Sequence, residues 1–188
     1  MQGENMKYYL FKRGNLDRTK FCEPRLFGKW AGEILFMNRV HDRTLPLPVT
    51  LSVKNKYKPG DYPIGHTHLV SKRLLELIKQ LNRDYEALPS QIYYKEKEPI
   101  WDTYYSMLLP EYEAFNWDKS VHDAGEDKII CFIDKLVLSK EKLQDIPREN
   151  NIFVLQEEST ELICTQTAKD LIEQAGIIDV RFIELEVE

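Results

Sequence analysis

The sequence predicts an α+β protein with a mostly antiparallel sheet covered by two main helices. Val70–Gln80 and Thr165–Ala175 show the apolar spacing of amphipathic helices, and short runs rich in β-branched and aromatic residues surround them. The connections between these runs are short, which favours neighbouring strands joined by turns. The 188 residues are enough for one domain, or for two small lobes that share a core.

The two helical segments belong to a helix–strand unit that occurs twice, although the repeat is weak. Val70–Gln80 aligns with Cys164–Gln174, so that Ser71 corresponds to Thr165, and Ser71 has the hydroxyl of a good N-cap. A short strand follows each helix, at 91–94 and at 180–183. Because two copies are too few for a solenoid, we expect a protein built from two related halves.

The remaining elements follow from composition and from breaker residues. Trp101–Ala114 fits a strand or a helix equally well, and Ser139 is a good cap for a short helical turn. Pro89 is expected to end the approach to the strand that follows the first helix. Strands are predicted at Lys7–Lys12, Ile34–Met37, Val49–Val53, Gln91–Tyr94, Lys128–Leu138, Asn151–Gln156, Glu161–Cys164 and Val180–Val187.

Charge is distributed unevenly along the chain. Residues 1–83 hold 16 Lys and Arg against 7 Asp and Glu, whereas residues 84–188 hold 10 against 24, for a net charge of −5. Such asymmetry indicates a charged partner or attraction between the two halves, although solvated faces of an ordinary surface explain it equally well. The pI near 5.5 argues against a nucleic-acid-binding protein, despite the aromatic residues among the basic ones of the first half.

The cysteine pattern and the lack of long apolar segments predict a cytoplasmic protein. The cysteines Cys22, Cys131 and Cys164 are an odd number and widely spaced, which is typical of a reducing cytoplasm. The sequence has no run of about 18 apolar residues, so no membrane span is predicted. The N-terminus has no apolar signal region. Met6 opens the first strand, so either Met1 or Met6 is expected as the native start.

Two histidines form the one cluster that resembles a metal site. His66 and His68 alternate, so on a strand both imidazoles would point to the same side and reach one ion. Asp61 is near in sequence, and His122 could complete the set in space. The alternative is an ordinary pair of half-buried histidines before a helix. No nucleophile elbow, catalytic cysteine or phosphate-binding loop accompanies them.

The end of the chain is strongly acidic, with 9 Asp and Glu against 2 Lys and Arg in residues 157–188. Alternation along the last strand predicts that Phe182 faces outward with the acidic residues, while Ile183, Leu185 and Val187 face the core. The acidic strip suits a docking surface, with Trp117 as an aromatic anchor, or a charged edge that prevents aggregation. Its residues are Glu157, Glu158, Glu184, Glu186 and Glu188.

Several sequence pieces occur in an order that resembles a known family. They read KYYLFKR, SKRLLELIKQLN, FNWDKS, IDKLVLSKEKL, NIFVLQE and ELICTQTAKDLIEQAGIIDVRFIELEV. This order resembles the small α+β immunity proteins of bacterial polymorphic toxin systems, in particular the MXAN-0049-type immunity protein family. The likeness is strongest in the closing 60 residues and weak in residues 13–60. Residues 1–188 are then one immunity-like domain, with a variable β-rich part at 1–69 and a family-like α+β part at 70–188.

The resemblance implies a cytoplasmic protein that neutralises a cognate toxin domain by direct binding. It implies no enzyme activity, no catalytic residues and no cofactor. The acidic second half would suit a basic toxin. Two alternatives remain open at this point: a small metal-dependent hydrolase that uses His66 and His68, and a nucleic-acid-binding protein.

Overall fold

The computed structural model describes residues 6–14, 25–26, 35–36, 39–40, 48–54, 56, 60–63, 67–125 and 130–188. Within them the chain forms two α-helices, α1 at Lys72–Leu81 and α2 at Gln166–Gln174, and a 3₁₀ turn at Lys142–Asp145. The strands are β1 Tyr8–Arg13, β2 Arg25–Leu26, β3 Leu35–Phe36, β4 Arg39–Val40, β5 Val49–Val53, β6 His68–Ser71, β7 Glu86–Tyr94, β8 Glu98–Leu108, β9 Glu111–Tyr112, β10 Val121–Ala124, β11 Ile130–Lys135, β12 Val137–Leu138, β13 Ile152–Leu155, β14 Leu162–Thr165, β15 Val180–Glu184 and β16 Glu186–Val187.

The described strands form two five-stranded sheets and three small two-stranded pairs. Sheet A has the order β15-β1-β14-β13-β9, and sheet B has the order β2-β5-β7-β8-β6. The pairings β13–β9, β5–β7 and β12–β16 are parallel. The α+β class is confirmed. Most pairings are antiparallel, as predicted, but the strands form two large sheets and each of these contains one parallel pairing, so the prediction of one mostly antiparallel sheet is only partly matched. Alternation along a strand reports which side is buried and not the direction of its neighbour.

A strand–helix–strand unit occurs once in each sheet with the same topology. In sheet A, β14 and β15 flank α2 in sequence and pair antiparallel with opposite edges of β1. In sheet B, β6 and β7 flank α1 and pair in the same way with β8. Both helices therefore connect parallel strands that are separated by one antiparallel strand. The helix–strand repeat of the sequence is thus part of a larger repeated unit. In this unit a strand, a helix and a second strand follow one another in the chain, and the two strands are separated in the sheet by a third.

Equivalent hydroxyl groups begin the two helices. Ser71 Oγ accepts a hydrogen bond from the Leu74 amide at 3.2 Å, and Thr165 Oγ1 accepts one from the Ala168 amide at 3.4 Å. Each side chain satisfies an amide that has no partner within its helix, which stabilises the first turn. The predicted stripe of α1 is also present, because its buried residues are Leu74, Leu75, Ile78 and Leu81.

The two helices lie in the core shared by the sheets. Helix α1 packs on β6 and β8 of sheet B, α2 packs on β1 and β14 of sheet A, and the helices contact each other. Residues of both sheets, such as Val154 and Met107, join this core. The expectation that the helices cover a single sheet is therefore wrong. The opposite sheet faces are buried too, around Phe153 in sheet A and Leu51 in sheet B.

Several strand boundaries differ from the prediction. Strand β7 continues through Pro89, at a position where it pairs only with β8 because the β5 pairing begins at Ser90. Proline has no backbone N–H, so a strand tolerates it at a position where the side facing the missing N–H has no neighbouring strand to bond. The undecided segment around Trp101 is strand β8, and the single strand predicted at Lys128–Leu138 is divided at Leu136.

Three asparagines join the end of α1 to the start of β13 and to α2. The buried Asn82 side chain donates to the Ile152 carbonyl at 2.6 Å and accepts from the Ile152 amide at 2.9 Å. Asn151 donates to the Leu81 carbonyl at 2.8 Å and accepts from Thr165 Oγ1 at 2.8 Å. Asn150, next to them, bonds to Asp84 and Tyr112. Buried amides thus replace the strand partners that the backbone lacks here.

Replacing Asn82 with alanine should destabilise the fold strongly. The variant leaves the amide and the carbonyl of Ile152 without partners inside the protein, so we expect a loss of about 3 kcal/mol in the free energy of unfolding. Urea denaturation measures this value. The exposed Gln80 is a matched control, because Gln80→Ala should change stability by less than about 0.5 kcal/mol. A loss for Asn82→Ala no larger than that of the control would show that the asparagine link is dispensable.

Candidate partner-binding face and the predicted histidine site

An aromatic group fixes the turn that follows β9. Phe115 is fully buried, and the half-buried Trp117 packs edge-on against it with ring centroids 4.9 Å apart. His122 contacts both rings, at 5.3 Å from Phe115 and 5.2 Å from Trp117. The turn is tied to the chain end, because Asn116 Nδ2 donates to the Glu188 carbonyl at 3.4 Å. Trp117 therefore lies beside the C-terminal strand, as an anchor in the acidic strip would require.

Three glutamates near the end of the chain each form an ion pair with a lysine. The ion pairs are Glu184 with Lys7 at 2.9 Å, Glu186 with Lys135 at 2.5 Å and Glu188 with Lys119 at 3.5 Å. The Lys135 ammonium lowers the pKa of Glu186, and a hydrogen bond with Glu188 adds to the effect. All six side chains are substantially exposed, so the pairs contribute little stability. The strip is consequently a mixed-charge surface and not a purely acidic one.

Glu157 and Glu158 are engaged elsewhere. The Glu157 carboxylate accepts from the Phe115 amide and from Lys142 Nζ, both at 3.3 Å, and its side chain is only 9% exposed. Glu158 accepts from the amide and the hydroxyl of Thr160 at 3.0 and 2.8 Å. These two residues hold local backbone, whereas Glu186 and Glu188 adjoin the Trp117 turn.

The last strand does not present its apolar residues as predicted. Phe182 stacks on Phe11 with centroids 5.3 Å apart and packs on the shared core, whereas Ile183 is 43% exposed. The prediction had these two residues reversed. β15 is the edge strand of sheet A. The packing on the Ile183 side of the sheet does not extend fully over this edge strand, so Ile183 stays exposed although it is apolar. Leu185 and Val187 pack inward as expected.

A two-stranded hairpin beside this strip was missed by sequence reasoning. β10 and β11 pair only with each other among the described strands, and Val121 and Phe132 are 53% and 63% exposed. Lys135 is the register partner of Val121 and the ion-pair partner of Glu186, which joins the hairpin to the chain end. The apolar run around Phe132 looks like a buried strand in sequence. The charged Asp134–Lys135 pair was the available signal for exposure.

The predicted histidine site is divided between unrelated environments. His66 lies outside the described residues. His68 is buried, with Nδ1 3.0 Å from the Tyr62 hydroxyl and Nε2 3.1 Å from the Ser159 carbonyl. Because a carbonyl only accepts, Nε2 carries the proton and Tyr62 donates to Nδ1. Both ring nitrogens of His68 are thus used inside the protein.

The other two members of the predicted set also have structural partners. The buried Asp61 carboxylate accepts from Ser71 Oγ at 2.6 Å, Arg73 Nη2 at 2.9 Å and the Ile178 amide at 2.9 Å. His122 packs against the rings of Phe115 and Trp117. In the part of the chain that the structure describes, no three His, Cys, Asp or Glu side chains are placed to hold a metal ion. Within the same part, neither helix has the length and apolarity needed to cross a membrane.

The buried His68 should make the protein sensitive to acid. Burial lowers the pKa of His68 from 6.5 to about 4. Between pH 6.5 and pH 4 the unfolded chain therefore binds a proton at His68 and the folded protein does not. The free energy of unfolding is at its full value above pH 6.5 and falls as the pH is lowered towards 4. We expect a loss of up to about 3 kcal/mol across this window, measured by urea denaturation. His68→Gln should be less stable at pH 8 but should lack this part of the pH dependence. Parallel pH profiles for the two proteins would contradict the assignment.

A comparison with known protein families matches this chain. A family model for Immunity protein 43 matches residues 38–187, which include both split strand–helix–strand units. No curated protein matches the sequence. The prediction of an immunity protein is confirmed, whereas the narrower MXAN-0049 type and the division of the domain at residue 70 stay predictions. The chain belongs to the Immunity protein 43 (Imm43) family, and its function is that of an immunity protein.

Proposed function

We propose that this immunity protein neutralises its cognate toxin by direct, non-catalytic binding. The family match over residues 38–187 carries the proposal, because an immunity protein implies a toxin as its protein partner. The side-chain geometry is in keeping with it, since His68 and Asp61 are occupied by structural hydrogen bonds. This arrangement disfavours the alternative of a metal-dependent hydrolase. The buried thiol of Cys164 suits the reducing cytoplasm in which we place this binding.

We further propose that the toxin docks on the hairpin and the adjoining chain end. We call this surface the hairpin face, and it comprises Trp117, Val121, Phe132, Glu184, Glu186 and Glu188. Protein interfaces combine an apolar centre with a polar rim, and aromatic residues dominate their energy. Val121 and Phe132 supply exposed apolar area, and the glutamates supply a rim. We give Glu157 and Glu158 a secondary part in toxin binding, outside the hairpin face, because their carboxylates hold local backbone.

Co-expression of the protein with its toxin domain tests the proposed function. The protein should restore growth, and a stable complex of the two chains should be isolated. If growth inhibition persists while the immunity protein is folded and abundant, direct neutralisation is wrong. Restored growth with cleaved or modified toxin would instead show an enzymatic mechanism.

Reversing two rim charges should slow association with a basic toxin. Rim charges act mainly on the association rate, so Glu184→Lys combined with Glu186→Lys should lower that rate by roughly tenfold at low salt and flatten its salt dependence. Surface plasmon resonance at several salt concentrations measures both. Glu76→Lys with Glu98→Lys is the matched control, because both are exposed and paired with lysine outside the hairpin face. Equal rates for the two double variants would exclude steering by the strip.

Truncating the exposed aromatic side chain should weaken the complex without affecting the fold. Phe132→Ala is expected to raise the Kd for the toxin about tenfold or more, because buried aromatic anchors carry much of an interface's binding energy. Its free energy of unfolding should change little, since Phe132 is 63% exposed. Ile178, which is 60% exposed elsewhere, supplies the control variant Ile178→Ala. Unchanged toxin affinity in Phe132→Ala would remove the hairpin from the interface.

A further inference from the structure

A cleft of about 370 Å³ lies where β1 ends, and none of the residues that define the hairpin face lines it. The charged residues Lys12, Arg13, Arg181 and Glu161 line it, together with the aromatic side chain of Tyr62. Its volume is within the range of small-molecule sites. Three cations against one carboxylate give it an excess of positive charge, in a protein whose net charge is −5.

Two of the cations are held in an unfavourable arrangement. Lys12 and Arg181 are direct register partners across β1 and β15. Like charges opposite one another destabilise a strand pair. Glu161 forms an ion pair of 3.1 Å with Lys12, but the Arg181 side chain makes no hydrogen bond or ion pair with the described part of the chain. An anion bound between the strands would remove this repulsion.

The third cation is held in place by its surroundings. Arg13 Nη2 donates to the Thr67 carbonyl at 3.2 Å, and the guanidinium carbon lies 5.0 Å from the centre of the Tyr62 ring. Tyr62 is itself buried and bonded to His68 at 3.0 Å. Arg13 follows Lys12 on β1, so its side chain lies on the other side of the strand and adds positive charge at the edge of the cleft.

The backbone at the end of the strand completes the wall of the cleft. The Gly14 amide donates to the Asp179 carbonyl at 2.7 Å, which joins the end of β1 to the start of β15. A Cβ atom at Gly14 would lie 2.8 Å from the Asp179 carbonyl carbon, so only glycine allows this approach. The approach of these two strand ends is therefore set by backbone contacts and does not depend on a ligand.

We propose that this cleft binds a phosphate or carboxylate group through Lys12 and Arg181, with Arg13 at its rim. The group belongs either to a free small anion or to an acidic side chain of the toxin. The two sources share one chemistry, and separate measurements distinguish them. Binding of a free anion is independent of the proposed hairpin face.

Calorimetric titration of the isolated protein with inorganic phosphate and pyrophosphate at low ionic strength tests the site. We expect binding that weakens with added salt, and roughly tenfold or greater weakening in Arg181→Gln, because one charge-assisted contact is lost. Arg181→Lys should retain most of the affinity. Arg148→Gln removes an exposed arginine that does not line the cleft and should bind like the wild type. Equal affinity in Arg181→Gln and Arg148→Gln, or no binding of either anion, overturns the proposal.

The toxin complex distinguishes the two sources. If the group comes from the toxin, Arg181→Gln should also raise the Kd for the toxin, and pyrophosphate should compete with toxin binding. If it is a free anion, Arg181→Gln should lose only anion binding. A failure of the wild-type protein to bind toxin would refute the proposed function but would leave the titration result standing.

Discussion

The fold depends on hydrogen bonds that tie the end of α1 to the start of β13. Helix α1 packs on sheet B and β13 belongs to sheet A, and the backbone of Ile152 is bonded by the side chain of Asn82 in place of a neighbouring strand. Asn151 extends the link to Thr165, the N-cap of α2. Because a buried polar group without a partner costs more free energy than a typical hydrogen bond contributes, these contacts favour the observed arrangement of the two halves.

In this arrangement the interior is filled by packed, mostly apolar side chains. Both sheets are packed on both faces, and the helices fill the space between them, so the central strands β13 and β14 are buried along their length. Burial raises the pKa of the Cys164 thiol and lowers that of His68, which keeps both groups uncharged near neutral pH. Exposed apolar residues are found instead on the periphery, on the β10–β11 hairpin and on the edge strand β15. A protein that acts by binding is expected to have this distribution.

Electrostatics on the periphery is more balanced than the linear charge distribution suggests. The acidic end of the chain meets lysines from distant segments, as in the pair of Glu184 with Lys7. Attraction between the two halves, one of the explanations that the charge asymmetry allows, thus occurs within the molecule. The cleft at Arg181 is the opposite case, because there two cations face one another across β1 and β15.

The sequence by itself determined the immunity family, the α+β class and the local elements. The N-caps Ser71 and Thr165, the apolar stripe of α1 and the bounds of β5 all follow from residues within a few positions of one another. The tertiary structure decided which strands are neighbours, which pairings are parallel and which residues remain exposed. The segment around Trp101 became a strand through its partners, and Phe182 rather than Ile183 turned inward because α2 and Phe11 cover that side. These outcomes depend on contacts between residues far apart in the chain, which local periodicity does not encode.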